Sequence, residues 1–217
     1  MPQLSALTEL LACPRCDKTP LEGQDEGYHC KACKIDFPSV DGIPWMFAEP
    51  QASLGEWRNR LQFALQTLAK ETSDLDAELA NKDLGALAKR RVQRYRNAVD
   101  HHRRGLRKLL QPIDVQSQHG GHETYLALRT RLPADQGLNT YYANIHRDWC
   151  WGDAENTASL KQIESVLHDS AELGKVLVLG AGAGRLAYDI HQRFECESVT
   201  VVDFNPLLML VAKQVSR

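Results

Sequence analysis

Two cysteine pairs, Cys13-x2-Cys16 and Cys30-x2-Cys33, stand thirteen residues apart near the start of the chain. A thiolate pair two residues apart can turn both sulfurs toward one ion from a tight knuckle. Two such pairs complete the tetrahedral four-sulfur shell that structural zinc prefers. Four unrelated thiols are the alternative, and the doublet spacing argues against them. Four protein ligands leave no open position, so the expected role of the shell is to organise a fold and not to carry out chemistry. His29 reads as a surface neighbour of that shell, not a fifth ligand. Cys150 and Cys196 lack any partner spacing and read as ordinary buried or half-buried thiols.

A second pattern lies near the other end. The apolar run Val176-Leu177-Val178-Leu179 leads into Gly180-Ala181-Gly182-Ala183-Gly184, then a helical segment from Arg185 to Phe194. A β-rich run from Ser198 to Val202 follows and stops at Asp203. A glycine turn between strand and helix lets backbone amides approach a ligand without Cβ obstruction. An acid at the end of the next strand can accept hydrogen bonds from both ribose hydroxyls of a nucleoside. Glycines that serve only tight packing are the competing reading. NAD is the competing ligand, but Arg185 stands where the dinucleotide fingerprint places a small residue. S-adenosylmethionine is therefore the expected cofactor. No Ser/His/Asp or paired-carboxylate arrangement stands out, so no catalytic residue is named.

Three regions must position these groups. Residues 1–48 form the Cys-rich module, where Gly23, Gly27 and Gly42 punctuate strand-like pieces at Tyr28-His29 and Ile35-Asp36-Phe37. Residues 49–139 read as helical, with Glu49 to Ala52 as a linker and Ser53 as N-cap. One stripe runs through Leu54, Trp57, Leu61, Leu65 and Leu68, and a second through Val92, Tyr95, Val99, Leu106 and Leu109 before Pro112 stops it. Gly120-Gly121 and Pro133 mark loops. Residues 140–217 begin with a helix from Thr140 to Trp149 and another capped by Asn156 or Thr157, with Trp149 and Trp151 as packing residues. From Lys175 the pattern becomes strand, helix, strand, helix, with Val176–Leu179 expected to be buried on both faces of a parallel sheet. The fold class is thus α/β, with an N-terminal zinc ribbon, a helical middle region and an incomplete Rossmann-like β-α-β-α unit.

The net charge of −2 offers no global electrostatic case for nucleic acid or membrane. Locally, residues 84–111 hold nine Lys or Arg: Lys89, Arg90, Arg91, Arg94, Arg96, Arg103, Arg104, Arg107 and Lys108. The nearby acids are Asp83 and Asp100. This helix face either is solvated, pairs with the acidic segment Asp74 to Glu78, or contacts nucleic acid. No apolar stretch approaches a membrane span, and the first residues lack the pattern of a signal peptide. Free thiols beside a thiolate site imply a reducing, cytoplasmic setting.

Two stretches resemble known families. Residues 7–47, with Leu10 to Cys16, Cys30 to Cys33 and the Asp41-Gly42-Ile43-Pro44 element, resemble the small zinc-ribbon proteins that activate tRNA and protein methyltransferases. Residues 141–217 resemble class I S-adenosylmethionine-dependent methyltransferases, most closely the carnosine N-methyltransferase family. The matching elements are Ile145 to Trp149 and Val176 to Ile190. The resemblance implies that Asn144 and Arg147 lie near the cofactor, that Gly180, Gly182 and Gly184 cradle its methionine end, and that Asp203 holds the ribose. That family usually carries Gln at the position of Asn144 and Glu at that of Asp203. Residues 50–140 resemble no family that can be named.

The resemblance further implies methyl transfer to a nitrogen of a small molecule, a peptide or RNA. An imidazole acceptor follows if the likeness extends to substrate. A guanine methyltransferase of ribosomal RNA and a non-catalytic adaptor for a separate methyltransferase are the alternatives. Class I methyltransferases have a seven-stranded sheet, and only fourteen residues follow Asp203. The expectation is a front part of a longer enzyme, or a partner chain that supplies the rest, with little or no catalysis by this chain alone.

Overall fold

In a computed structural model the chain divides into two compact units, Met1–Arg131 and Leu132–Arg217. The structure describes residues 7–113, 138–167 and 172–216. The loops expected at Gly120-Gly121 and Pro133 lie outside them. The architecture is mixed α/β.

The first unit opens with an antiparallel sheet of strands β1 (Glu22–Gln24), β2 (Gly27–Cys30), β3 (Ile35–Val40) and β4 (Ile43–Pro44), in that order. Tyr28 stands opposite Phe37 and Cys30 opposite Ile35. Leu21, Tyr28 and Phe37 form a small core with Cys13 and Cys30. Asp41 and Gly42, both at positive φ (50° and 75°), make the two-residue turn between Val40 and Ile43. A positive φ at both central residues is the turn whose twist matches that of flanking strands, and Asp-Gly is a preferred pair for it.

Two long helices follow, α1 (Pro50–Leu79) and α2 (Ala86–Leu109), folded back on each other, and then a short 3-10 turn, Gln111–Ile113. Helix α1 starts earlier than Ser53. Its cap residue is Glu49 and Pro50 takes the first turn, so the expected linker is helix. Proline suits that position because its missing N–H has no helical partner there and its φ is already helical. The buried side chains Leu54, Trp57, Leu61, Val99, Leu106, Leu110 and Ile113 gather where α1 begins and α2 ends. Arg58 clips that end by donating from Nε to the Ile113 carbonyl at 2.7 Å. Full burial of one Leu contributes about 1.5–3 kcal/mol, whereas an exposed ion pair contributes about 0–1 kcal/mol. Apolar packing at this end, rather than the many charges of α2, therefore holds the hairpin.

In the second unit, α3 (Leu138–His146) runs into a π-helical turn, Arg147–Trp151. Then come α4 (Asp153–Leu167), β5 (Glu172–Leu179), α5 (Arg185–Arg193), β6 (Glu195–Val202) and α6 (Pro206–Val215). Helix α4 begins at Asp153, one turn before the expected caps. Asp153 and Glu155 place acids in its first turn, which the exposed N–H groups of a helix start favour. Strands β5 and β6 pair in parallel, with Leu177 opposite Thr200 and Leu179 opposite Val202.

The expected burial of β5 on both faces is not what the structure shows. Leu177 and Leu179 are 59% and 73% exposed. With two strands in the sheet and the helices packed elsewhere, the face these residues share has no covering element among the described residues. At the far side, Asn205 caps α6, accepting from the Leu207 amide at 3.0 Å.

Candidate metal centre and glycine-loop site

The four cysteines converge. The sulfurs of Cys13, Cys16, Cys30 and Cys33 all lie within 4.8 Å of one another. Cys13 Sγ is 3.9 Å from Cys33 Sγ and Cys16 Sγ is 3.7 Å from Cys30 Sγ. Sulfurs arranged tetrahedrally at about 2.3 Å from one ion are about 3.8 Å apart, so the cluster has the dimensions of a four-thiolate shell. Both knuckles share one geometry. The amides of Asp17 and Lys34, one residue past each pair, donate to the carbonyls of Cys13 and Cys30 at 2.9 and 2.8 Å. Those same residues sit at φ 56° and 55°, the left-handed conformation that turns each chain sharply around its sulfurs.

Burial pushes the Cys13 thiol up, but the amides of Arg15 and Cys16 and the adjacent thiols outweigh it and bring its pKa down to about 7. Cys33 is pushed up to about 12, first by its hydrogen bond with Cys16 and then by burial. Four thiols this close cannot all release their protons unless a cation shares the space. His29 stands apart from the sulfurs: its Nδ1 meets the Asp36 carboxylate at 2.6 Å near the surface.

The glycine loop is built from the backbone outward. Gly180, Gly182 and Gly184 all have positive φ (63°, 59° and 81°), a conformation that side chains rarely adopt. The amides of Gly180 and Ala181 donate to the Val202 carbonyl at 2.8 and 3.2 Å, which ties the loop to the end of β6. The Gly182 amide donates to Asp203 Oδ2 at 2.8 Å, and the Asn205 amide donates to Oδ1 at 2.8 Å. Each carboxylate oxygen retains further acceptor capacity. At the other side of the loop, a Cβ on Gly184 would come within 2.9 Å of Ala212 Cβ on α6. That glycine is the contact that lets the two elements pack.

The segment from Asn144 to Trp149 borders this loop. Trp149 Nε1 donates to the Ala183 carbonyl at 2.9 Å, and Trp149 packs with Ile145 against Ala183 and Leu208. Arg147 donates to Asp148 Oδ1 at 3.2 and 3.1 Å. The other oxygen of Asp148 faces Gly182, 3.3 Å from where a Cβ would stand. Asn144 lies half-buried on α3, one turn before Arg147.

Two residues to which the sequence pattern gave no part in the site, Asp148 and Arg185, organise it. Asp148 is buried among Arg147, Gly182 and α4. Arg185 binds Asp189 at 2.9 Å and Asp153 at 3.1 Å, and donates to the Asp148 carbonyl at 3.1 Å. Its guanidinium also lies over the Trp149 ring, 5.4 Å from the centroid. The one legible trace of this hub is the four-residue spacing of Arg185 and Asp189 on a helix. Trp151, expected to pack, is instead 66% exposed and stacks on His146. Cys150 is exposed rather than buried.

Over its N-terminal 53 residues the chain is 42% identical to a UPF0434 protein of Mannheimia succiniciproducens. The match covers 87% of that protein and 24% of this chain. The chain belongs to the UPF0434 family. All four clustered thiols and the strands that carry them fall within the UPF0434 portion, while α2, the glycine loop and Asp203 lie beyond it. No family model matches the chain, and no solved structure matches it. No helix among the described residues is long and apolar enough to cross a membrane.

Proposed function

We propose that this protein binds S-adenosylmethionine at its glycine loop and belongs to an S-adenosylmethionine-dependent methyltransferase that modifies nitrogen. One observation carries the reading. The carboxylate of Asp203 is held against the Gly182 amide at the carboxyl ends of two parallel strands, where open α/β sheets bind nucleotides. Arg147 and Asp148 bring a paired charge to the other side of the same loop.

In this reading Asp203 accepts hydrogen bonds from the ribose, the backbone of Gly180–Gly184 lies along the methionine end, and Asn144 and Arg147 border it. Bound S-adenosylmethionine supplies a methyl group on a sulfonium, which an acceptor nitrogen takes up with loss of its proton. Orientation of that nitrogen is the main requirement on the protein. The acceptor is a small molecule, a peptide or RNA. The four thiols hold zinc and fold the ribbon, a supporting role consistent with a shell that has no open position.

Titration calorimetry with S-adenosylmethionine tests the reading. Binding that weakens at least tenfold in Asp203→Ala supports it, and an unchanged affinity in that variant removes Asp203 from the site. A second reading, a non-catalytic adaptor, is favoured by one fact: both Asp203 oxygens already accept backbone amides. An adaptor gives no heat with S-adenosylmethionine while retaining its metal.

A further inference from the structure

We infer that the outer face of α2 is a nucleic-acid binding surface that grips the phosphate backbone. At about 100° per residue, Arg94, His101, Arg104 and Lys108 all project within about 40° of Arg90, forming one stripe along about 27 Å of helix. The buried residues Val99 and Leu106 lie about 160–180° away on the same wheel. The stripe is therefore the face that packing leaves to solvent.

Of the Arg and Lys residues in the stripe, Arg104 alone is neutralised by an acid of the same helix. Arg96, Arg103 and Arg104 are paired, with Asp76 or Asp100. Among the described residues, Arg90, Arg94 and Lys108 have no acidic partner, and they are exposed. The polar residues Gln93 and Asn97 bond to each other between them. Tyr95 lies off the stripe with its hydroxyl bound to Glu71, so no aromatic platform is offered to bases. Guanidinium and ammonium groups without stacking partners suit phosphates, and contacts of that kind carry little sequence information.

A lipid surface fits less well. An interfacial helix needs an apolar face to insert, and that of α2 is spent on α1. An acidic protein offers charge without the regular spacing of phosphates.

The test is fluorescence anisotropy of the whole zinc-loaded chain, without S-adenosylmethionine, so that it stands or falls apart from the methyltransferase reading. The probes are a labelled 20-nucleotide single-stranded RNA, a 20-base-pair DNA duplex and phosphatidylserine vesicles. If the unpaired Arg90, Arg94 and Lys108 each neutralise a phosphate of a single strand, log K falls with log salt at a slope of about −2.1. Affinity then drops about 20-fold between 50 and 200 mM salt. The triple variant R90Q/R94Q/K108Q, altered only at exposed positions, brings the slope to about zero. Lys70→Gln, at a cation paired with Asp74 on α1, leaves affinity unchanged. No binding of either nucleic acid at 50 mM salt overturns the inference. So does a slope that the triple variant retains, or binding to vesicles alone.

Discussion

The amide of Gly182 donates to the carboxylate of Asp203 at 2.8 Å across 21 positions of sequence. This bond joins the glycine loop to the end of β6 and sets the direction in which the acid faces. An amide in place of the carboxylate has one acceptor oxygen where two are used, since the Asn205 amide takes the other at 2.8 Å. Asp203→Asn is expected to cost about 1.5–3 kcal/mol, the range for a hydrogen bond to a charged group. Chemical denaturation followed by far-ultraviolet circular dichroism measures it, and a loss below a few tenths of a kcal/mol contradicts the structural role.

Metal removal should act on the ribbon. Fresh protein is expected to carry about one zinc per chain, with folding of the module coupled to its binding. Chelation should expose the amides of β2 and β3 to hydrogen exchange while α1 and α2 keep their protection, because their core at Leu61, Leu106 and Ile113 contains no thiol. Cys30→Ser should behave as the chelated protein does. Equal protection of β2 with and without chelator would remove the metal from the folding argument.

Gly27 has a different kind of constraint. A Cβ there would stand 2.1 Å from the Phe37 carbonyl oxygen across the β2–β3 pair. Backbone cannot yield by that much without breaking the pairing, so Gly27→Ala is expected to lose more than the ~1–3 kcal/mol typical of overpacking. The same change at Gly55, where nothing lies within 4 Å, serves as the control. Thermal melts of the two variants separate them, and similar midpoints would contradict the close approach.

The pH dependence of the hairpin has a defined sign. Asp76 is lowered from its ordinary value, first by its hydrogen bond with Arg96, and Asp100 is lowered first by that with Arg103. A carboxyl whose folded pKa lies below its unfolded one contributes stability that is whole above the unfolded value, 3.8 for these groups, and fades as pH falls through the folded one. Wild type should thus lose its stability advantage over Asp76→Asn only below about pH 4. Urea midpoints for the pair at pH 7, 5 and 3 give the comparison; a gap that persists unchanged at pH 3 contradicts it.

Arg185→Lys is the last test. Lysine keeps the charge but lacks the planar fork that reaches Asp189, Asp153 and the Asp148 carbonyl together. About 1–2 kcal/mol should be lost, along with a shift in the emission of Trp149, whose ring the guanidinium covers. An unaltered melt and spectrum would show that the hub is incidental.

Much of this protein is local, and local features are written in the chain. Two cysteine doublets determined a four-thiol cluster because each knuckle closes within four residues. The stripe through Leu54, Trp57 and Leu61 determined a helix, since its period reflects backbone geometry alone. The order of apolar run, glycines, helix and Asp203 likewise announced a strand–turn–helix–strand unit with its acid at the strand end.

Other features needed partners distant in sequence. Helix α1 is the exception: it began at Pro50 rather than Ser53 for a local reason, since a proline suits the first turn. The exposure of Leu177 and Leu179 depended on which strands stand beside β5, which no pattern within β5 records. Arg185 became a hub only when folding brought Asp148 and Asp153, more than thirty positions away, to its guanidinium. Composition showed that α2 is basic. Its packing against α1 decided that Arg96 meets Asp76 and which cations were left facing water, because a helix turns its buried side inward and thereby selects the side that remains.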